Sequence, residues 1–267
     1  MIEKTAGAAL SLRILGPLSV SRRDEQIDAG PWQQRCMLAI LLARPGEDVS
    51  VRELAELMWA DSPPSAINII HKYVGALRRA LEPDLAPRIK GACLVRNGNA
   101  YRFVAGAAEV DVIRFRALVT QARAHEDRHE PGRALDVYEQ AIGLGRGATA
   151  DGLADSPSAQ TLFTTLDGEF CEAVVAAAEL AVLLRRPARL VAPLRRAAAI
   201  DPLNELVQAT LMTTLAATGR RAEALRVHQS VTRMLDEDLG IGPGPDLRAA
   251  YLGLRGDHRV LRTNFSA

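Results

Sequence analysis

Within the stretch SAINIIHKYVGALRRAL, residues 65–81, an amide, an imidazole and three cations recur at helical spacing: Asn68, His71, Lys72, Arg78 and Arg79. The apolar positions Ala66, Ile70, Tyr73, Val74, Leu77 and Leu81 keep the i, i+4, i+7/i+8 rhythm of a buried helix face. The polar set falls on the opposite side, with Gly75 in its middle and Arg78 at its edge. An amide or imidazole presents donor and acceptor together, as the edge of a base requires, whereas a guanidinium or ammonium neutralises phosphate. Arg96 and Asn97 repeat the combination further on, in RIKGACLVRNGNAYRFV, and upstream Trp59 carries an indole N–H able to bond a phosphate. Such a helix face is otherwise an ordinary solvated surface, and Trp59 otherwise an ordinary core residue, so the surroundings decide.

Charge is one part of those surroundings. The 267 residues sum to +1, but from Asn68 to Arg102 seven Lys or Arg face only Glu82 and Asp84, a local balance of +5 that leaves −4 for the rest. A basic segment inside a slightly acidic chain is an electrostatic footprint for a polyanion. Nearly all of the cations are arginine, lysine occurring only at Lys4, Lys72 and Lys90.

Other chemistries find little support. No G-x-x-x-x-G-K-[ST], H-E-x-x-H or G-x-S-x-G motif is present, so an enzyme is not expected, nor any cofactor. His125 and His129 have the i, i+4 spacing of a metal pair, but HEDRHE lies in a polar stretch before Pro131 and offers no third ligand, so no metal is expected. Cys36, Cys93 and Cys171 are far apart and read as small core residues. A hydrophobic content of 48% supplies ample core, while no run of about 18 apolar residues and no signal-peptide pattern occur. A cytoplasmic, nucleoid-associated protein without a membrane partner is expected.

The elements that must position these side chains follow from local signals. Residues 12–29 alternate in short runs broken by Gly16-Pro17, as small antiparallel strands do. PWQQRCMLAILLAR is helical and ends at Pro45-Gly46. Ser50-Val51-Arg52-Glu53 is a capping box opening a second helix that buries Leu54, Leu57 and Met58. ADSPP breaks it, and Ser65 caps the helix described above. After Glu82-Pro83, β-prone runs around Leu94-Val95 and Tyr101–Val104 flank a turn containing Asn97-Gly98, a hairpin. Strands, three helices and a basic hairpin are the order of a winged helix-turn-helix, whose third helix enters the major groove while the hairpin reaches the minor groove.

From Val110 to about residue 255 the pattern is helical throughout, with six amphipathic segments. RLVAPLRRAAAI and EALRVHQSVTRM lie 34 residues apart, the tetratricopeptide period. Residues 143–158 are a glycine-rich loop and RGDHRVLRTNFSA is a loosely ordered tail. The chain thus reads as an α+β winged helix-turn-helix (1–106), an all-α tetratricopeptide-like domain (107–255) and a flexible tail (256–267).

Two sets of residues carry a family resemblance. Trp59, Leu77–Pro83 and Tyr101-Arg102-Phe103 match the "W…LRRALEP…GYRF" skeleton of OmpR/PhoB-type winged helices. VDVIRFRALVTQAR and LMTTLAATGRRAEALRVHQSVTRMLDEDLGIGPGPDLR are similar to the start and end of the bacterial transcriptional activator domain. Together, over roughly residues 10–255, they resemble the SARP family, the antibiotic regulatory proteins of actinomycetes. The resemblance implies a DNA-binding activator of a secondary-metabolite gene cluster, bound as a side-by-side pair to direct repeats near the promoter and contacting RNA polymerase, including its sigma subunit. It places the recognition helix at 65–82 and the wing at 88–104, with Asn68, Arg78, Trp59 and Arg96 on positions that touch DNA. Gly145 and His228 stand where the family usually has tryptophan and tyrosine. With no receiver domain before it and no ATPase module after it, the sequence is expected to be the family's short form. Two other readings remain open at this level: a helical-repeat protein scaffold, and a ligand-sensing repressor with a pocket near Ala173–Leu184.

Overall fold

Alternation at the start of the chain produces β1 (Leu10–Arg13), β2 (Ser19–Arg22) and β3 (Glu25–Gln26), joined as antiparallel neighbours with Leu12 opposite Val20. The computed structural model describes residues 10–83, 91–106 and 108–262, without the side chains of 256–262. α1 (Trp32–Ala43) follows, and every residue from Cys36 to Ala43 is buried, as expected of a helix apolar on all sides. β4 (Val49–Ser50) leads directly into α2 (Val51–Met58), and α3 (Ala66–Leu81) comes after a short connection. β5 (Leu94–Asn97) and β6 (Ala100–Phe103) form a hairpin, and β4 pairs with β6 to complete a three-stranded sheet.

Two local expectations are corrected. The Ser50 hydroxyl does accept from the Glu53 N–H at 3.1 Å, but the Glu53 carboxylate binds the Arg44 guanidinium instead of closing the capping box, a charged donor being the stronger partner. Ser65 holds the cap position of α3 without a side-chain bond, because its φ of −91° and ψ of 7° depart from the extended conformation a capping side chain needs. The hairpin turn, as expected, contains Asn97-Gly98: Asn97 stands opposite Ala100, and Gly98 has a φ of +56°. Glycine takes that positive φ without steric cost.

Two-residue strands escape sequence periodicity, and β7 (Glu109–Val110) is one. It pairs in parallel with β1, giving a four-stranded sheet in the order β3-β2-β1-β7. The next residue, Asp111, opens α4 (Asp111–Asp127) and is buried. Its carboxylate accepts from the backbone N–H groups of Ile14, Leu15 and Val112 at 2.9–3.0 Å, fixing the end of the strand pair. Burial pushes its carboxyl up from the ordinary value against the pull of those bonds.

The remaining elements are α5 (Pro131–Ile142), α6 (Pro157–Leu183), a single 3₁₀ turn, α7 (Val191–Ile200), α8 (Glu205–Ala217), α9 (Arg221–Leu239) and α10 (Pro245–Arg262). α10 is a helix beyond the six expected: Gly240, left-handed at φ +66°, ends α9, and the chain restarts at Pro245. It continues through Arg262, past residue 256 where the tail was expected to begin.

The chain divides into two compact units, Met1–Ala117 with Leu144–Asp167, and Leu118–Gly143 with Gly168–Ala267. The division falls inside α4 and α6. The first unit therefore extends beyond the expected 106/107 boundary and takes in the glycine-rich loop, which is tied down along its length. Arg146 and Ala150 donate backbone N–H to Leu15 and Ile14, Trp32 donates its indole N–H to Gly152, and Ser156 bonds the Leu57 carbonyl at 2.6 Å. In the second unit α8 packs against α7, α9 and α10. Within the stretch Ala173–Leu184, Val174, Ala177, Ala178 and Ala181 are fully buried in the core, while Val182 and Leu183 are exposed.

Candidate nucleic-acid interface

Of the six positions expected on the buried face of α3, Ala66, Ile70, Val74, Leu77 and Leu81 are buried, while Tyr73 is half-buried and donates its hydroxyl to Gln33 Oε1 at 2.6 Å. Asn68, Lys72 and Arg79 are exposed at i, i+4 and i+11, and half-buried Gly75 occupies i+7. Among the described residues nothing bonds or pairs with Asn68, Lys72 or Arg79, so one amide and two cations stand on a single stripe with their donors directed at solvent.

The neighbouring side of α3 is different. His71, half-buried, has its Nδ1 hydrogen-bonded to the Tyr101 hydroxyl at 2.7 Å, ring edge to ring face, which fixes the imidazole and leaves Nε2 as the nitrogen not engaged by that bond. Arg78 was expected at the phosphate backbone, but it is half-buried and donates both Nε and Nη2 to the Leu94 carbonyl, at 3.0 and 2.7 Å. Its fork faces the hairpin. Glu82, just past the helix, accepts from the N–H groups of Ala92 and Cys93 at 2.7 and 3.2 Å.

On the hairpin, Arg96 and Asn97 are exposed near its tip. Arg96 donates Nε to the Gly98 carbonyl at 3.0 Å, bracing the guanidinium while its remaining donors face outward. Asn97 donates Nδ2 to Asp48, which also receives two bonds from Arg102, at 2.9 and 2.6 Å. These bonds, Arg102's first and Asn97's second, hold the Asp48 carboxyl below its ordinary value. Sequence reasoning missed Asp48, the acid that anchors the hairpin flank, because its partners lie about fifty residues downstream.

Trp59 is the clearest correction. It is only 7% exposed instead of standing at an open turn, so its ring is core. Arg88 and Lys90 of the expected basic segment, and the first residues of the expected wing, lie outside the described residues. His125 and His129 do not share a helix face: α4 ends at Asp127, His125 binds Glu130 at 2.7 Å, and His129 has a φ of +59°. No described helix is long and apolar enough to cross a membrane.

The family model for the bacterial transcriptional activator domain matches residues 110–255. The chain is 30% identical to the regulatory protein AfsR of Streptomyces coelicolor over 92% of its own length, and spans 24% of AfsR. It is 26% identical to the transcriptional regulator RedD of the same organism, covering 96% of this chain and 73% of RedD. It therefore corresponds to about a quarter of the AfsR relatives and to most of RedD. The solved structure of Mycobacterium tuberculosis EmbR in complex with a low-affinity phosphopeptide is similar at a TM-score of 0.70 and 28% identity, over 96% of this chain and 65% of that one. A match to the bacterial transcriptional activator domain over more than half of the chain, together with regulators that align along nearly all of it, leads to one assignment: the chain belongs to the SARP family of bacterial transcriptional regulators.

Proposed function

We propose that this regulator is a sequence-specific DNA-binding activator whose first unit is a winged helix-turn-helix and whose second is a tetratricopeptide-like helical domain. In this reading α3 lies in the major groove. Asn68 and Nε2 of His71 read base edges, Lys72 and Arg79 neutralise phosphates, and Arg96 with Asn97 on the wing reaches the neighbouring minor groove. The observation that carries the reading is the stripe of Asn68, Lys72 and Arg79, exposed and unpartnered among the described residues on a helix otherwise anchored to a basic hairpin.

The family supports the rest. Two copies bind side by side on direct repeats near a promoter, and the helical domain engages RNA polymerase, including its sigma subunit. The names of AfsR and RedD support a role in regulation; the family resemblance points it toward a secondary-metabolite gene cluster, and such a role belongs in the cytoplasm at the nucleoid.

Selection of bound duplexes from a random pool by the full chain, followed by footprinting, tests this reading. A recovered motif in direct repeat is expected, and Asn68→Ala should relax the preference at one base of each half-site by about 1–3 kcal/mol. Failure to enrich any duplex would favour a protein-binding scaffold, whereas an unchanged motif and unchanged affinity in the variant would remove Asn68 from the base contacts.

A further inference from the structure

The C-terminal end of α3 holds the start of β5 through side chains that no part of the reading above employs. The Arg78 fork delivers two N–H groups to one carbonyl, that of Leu94. One turn on, Glu82 Oε1 accepts from Ala92 and Cys93, while Glu82 Oε2 is buried without a hydrogen-bond partner. Gly91 lies against both: a Cβ there would fall 2.8 Å from Glu82 Oε2, 3.0 Å from Arg78 Nε and 3.1 Å from the Leu94 carbonyl oxygen. Higher on the helix, the His71–Tyr101 bond ties α3 to the partner strand β6. Helix and hairpin are thus cross-linked at three levels, by the α3 side chains His71 and Arg78 and by Glu82 at the helix's C-terminal cap.

We infer that Arg78, with Glu82 and Gly91, is a positioning clamp: it sets where the wing stands relative to α3 and acts on DNA through the wing, not by touching phosphate. This rests on the DNA-binding reading, and it reverses the role that an arginine on a recognition helix would ordinarily be given. The chemistry is specific to guanidinium. A rigid fork can present two parallel donors to one carbonyl, whereas an ammonium on a flexible stem offers a single point charge. A single-point contact to phosphate, which either cation can make, tolerates lysine far better.

Three full-length variants, Arg78→Gln, Arg78→Lys and Gly91→Ala, test the clamp in two measurements. The first needs no DNA: amide hydrogen exchange across β5 and β6 of the free protein should quicken about tenfold or more in all three, with the α1 amides unchanged. Unchanged exchange in the hairpin overturns the clamp whatever the protein binds. The second is affinity for a duplex selected by the wild-type chain, measured with and without Arg96→Ala. Arg78→Gln and Arg78→Lys should each weaken binding about tenfold when Arg96 is present and less than about twofold when it is absent, because the loss passes through the wing. Rescue by Arg78→Lys, or equal losses in both backgrounds, makes Arg78 a phosphate contact and overturns the inference. If no duplex is selected, DNA binding itself fails, and the exchange measurement still judges the clamp.

Discussion

Gly75 interrupts a helix at the centre of its most exposed stripe, where most residues would serve the helix better. A Cβ there meets only Arg79 Nη1, at 3.7 Å, so the protein itself supplies no steric reason for glycine. Gly75→Ala should therefore stabilise the first unit by about 1 kcal/mol, the propensity difference between the two residues, in urea or thermal denaturation. Close approach of the α3 backbone to a duplex would make the same substitution weaken binding. Higher stability with lower affinity is the expected pair of outcomes; higher stability with unchanged affinity would mean that the helix does not approach DNA at this position. Trp59, Arg78 and Asn97 show how a residue's type can mislead about its direction. All three carry groups suited to nucleic acid, yet one is core, one faces the Leu94 carbonyl and one is half-engaged by Asp48.

At the level of elements, the helices and the hairpin were legible because their signals are local. The rhythm of Ile70, Val74, Leu77 and Leu81 dictates the buried face of α3, and Asn97-Gly98 announces the turn. What the sequence does not display is pairing across distance. β7 is two residues long and has no period, and the acceptor of Arg78, the hydroxyl beside His71 and the anchors of the glycine-rich loop all belong to other elements. Asp48 is the acidic example, and it confers a pH dependence on the hairpin flank. Because its folded value is depressed, its contribution is present above the ordinary carboxylate value and is lost as pH falls through the folded value, hence below about pH 4. Titration followed by NMR should move the side-chain signals of Asn97 and Arg102 together with Asp48, and Asp48→Asn should abolish the transition. Hairpin signals that titrate unchanged in that variant would assign the effect to another acid.

For the whole molecule, the division of labour follows the distribution of charge and of apolar surface. The basic segment and its exposed stripe lie in the first unit. The second unit carries an open cavity of about 730 Å³ lined by α8 and α10, including Leu206, Thr213, Ala250 and Leu254, and another of about 680 Å³ beside the stacked rings of His228 and Tyr251. The histidine that stands in the family's usual tyrosine position therefore keeps an aromatic contact, at 4.3 Å between centroids, and burial lowers its pKa. A unit that grips a polyanion through a few cations has a measurable signature, since each phosphate neutralised releases counterions. The most direct measurement is the affinity of the full chain for its selected duplex over a series of salt concentrations, with wild type beside the Lys72→Ala, Arg79→Ala double variant. Log affinity should fall steeply and linearly with log salt in the wild type, and the slope should become shallower by about 0.9 for each cation removed. A wild-type slope near zero, or an unchanged slope in the double variant, would contradict the seating of α3 against phosphate.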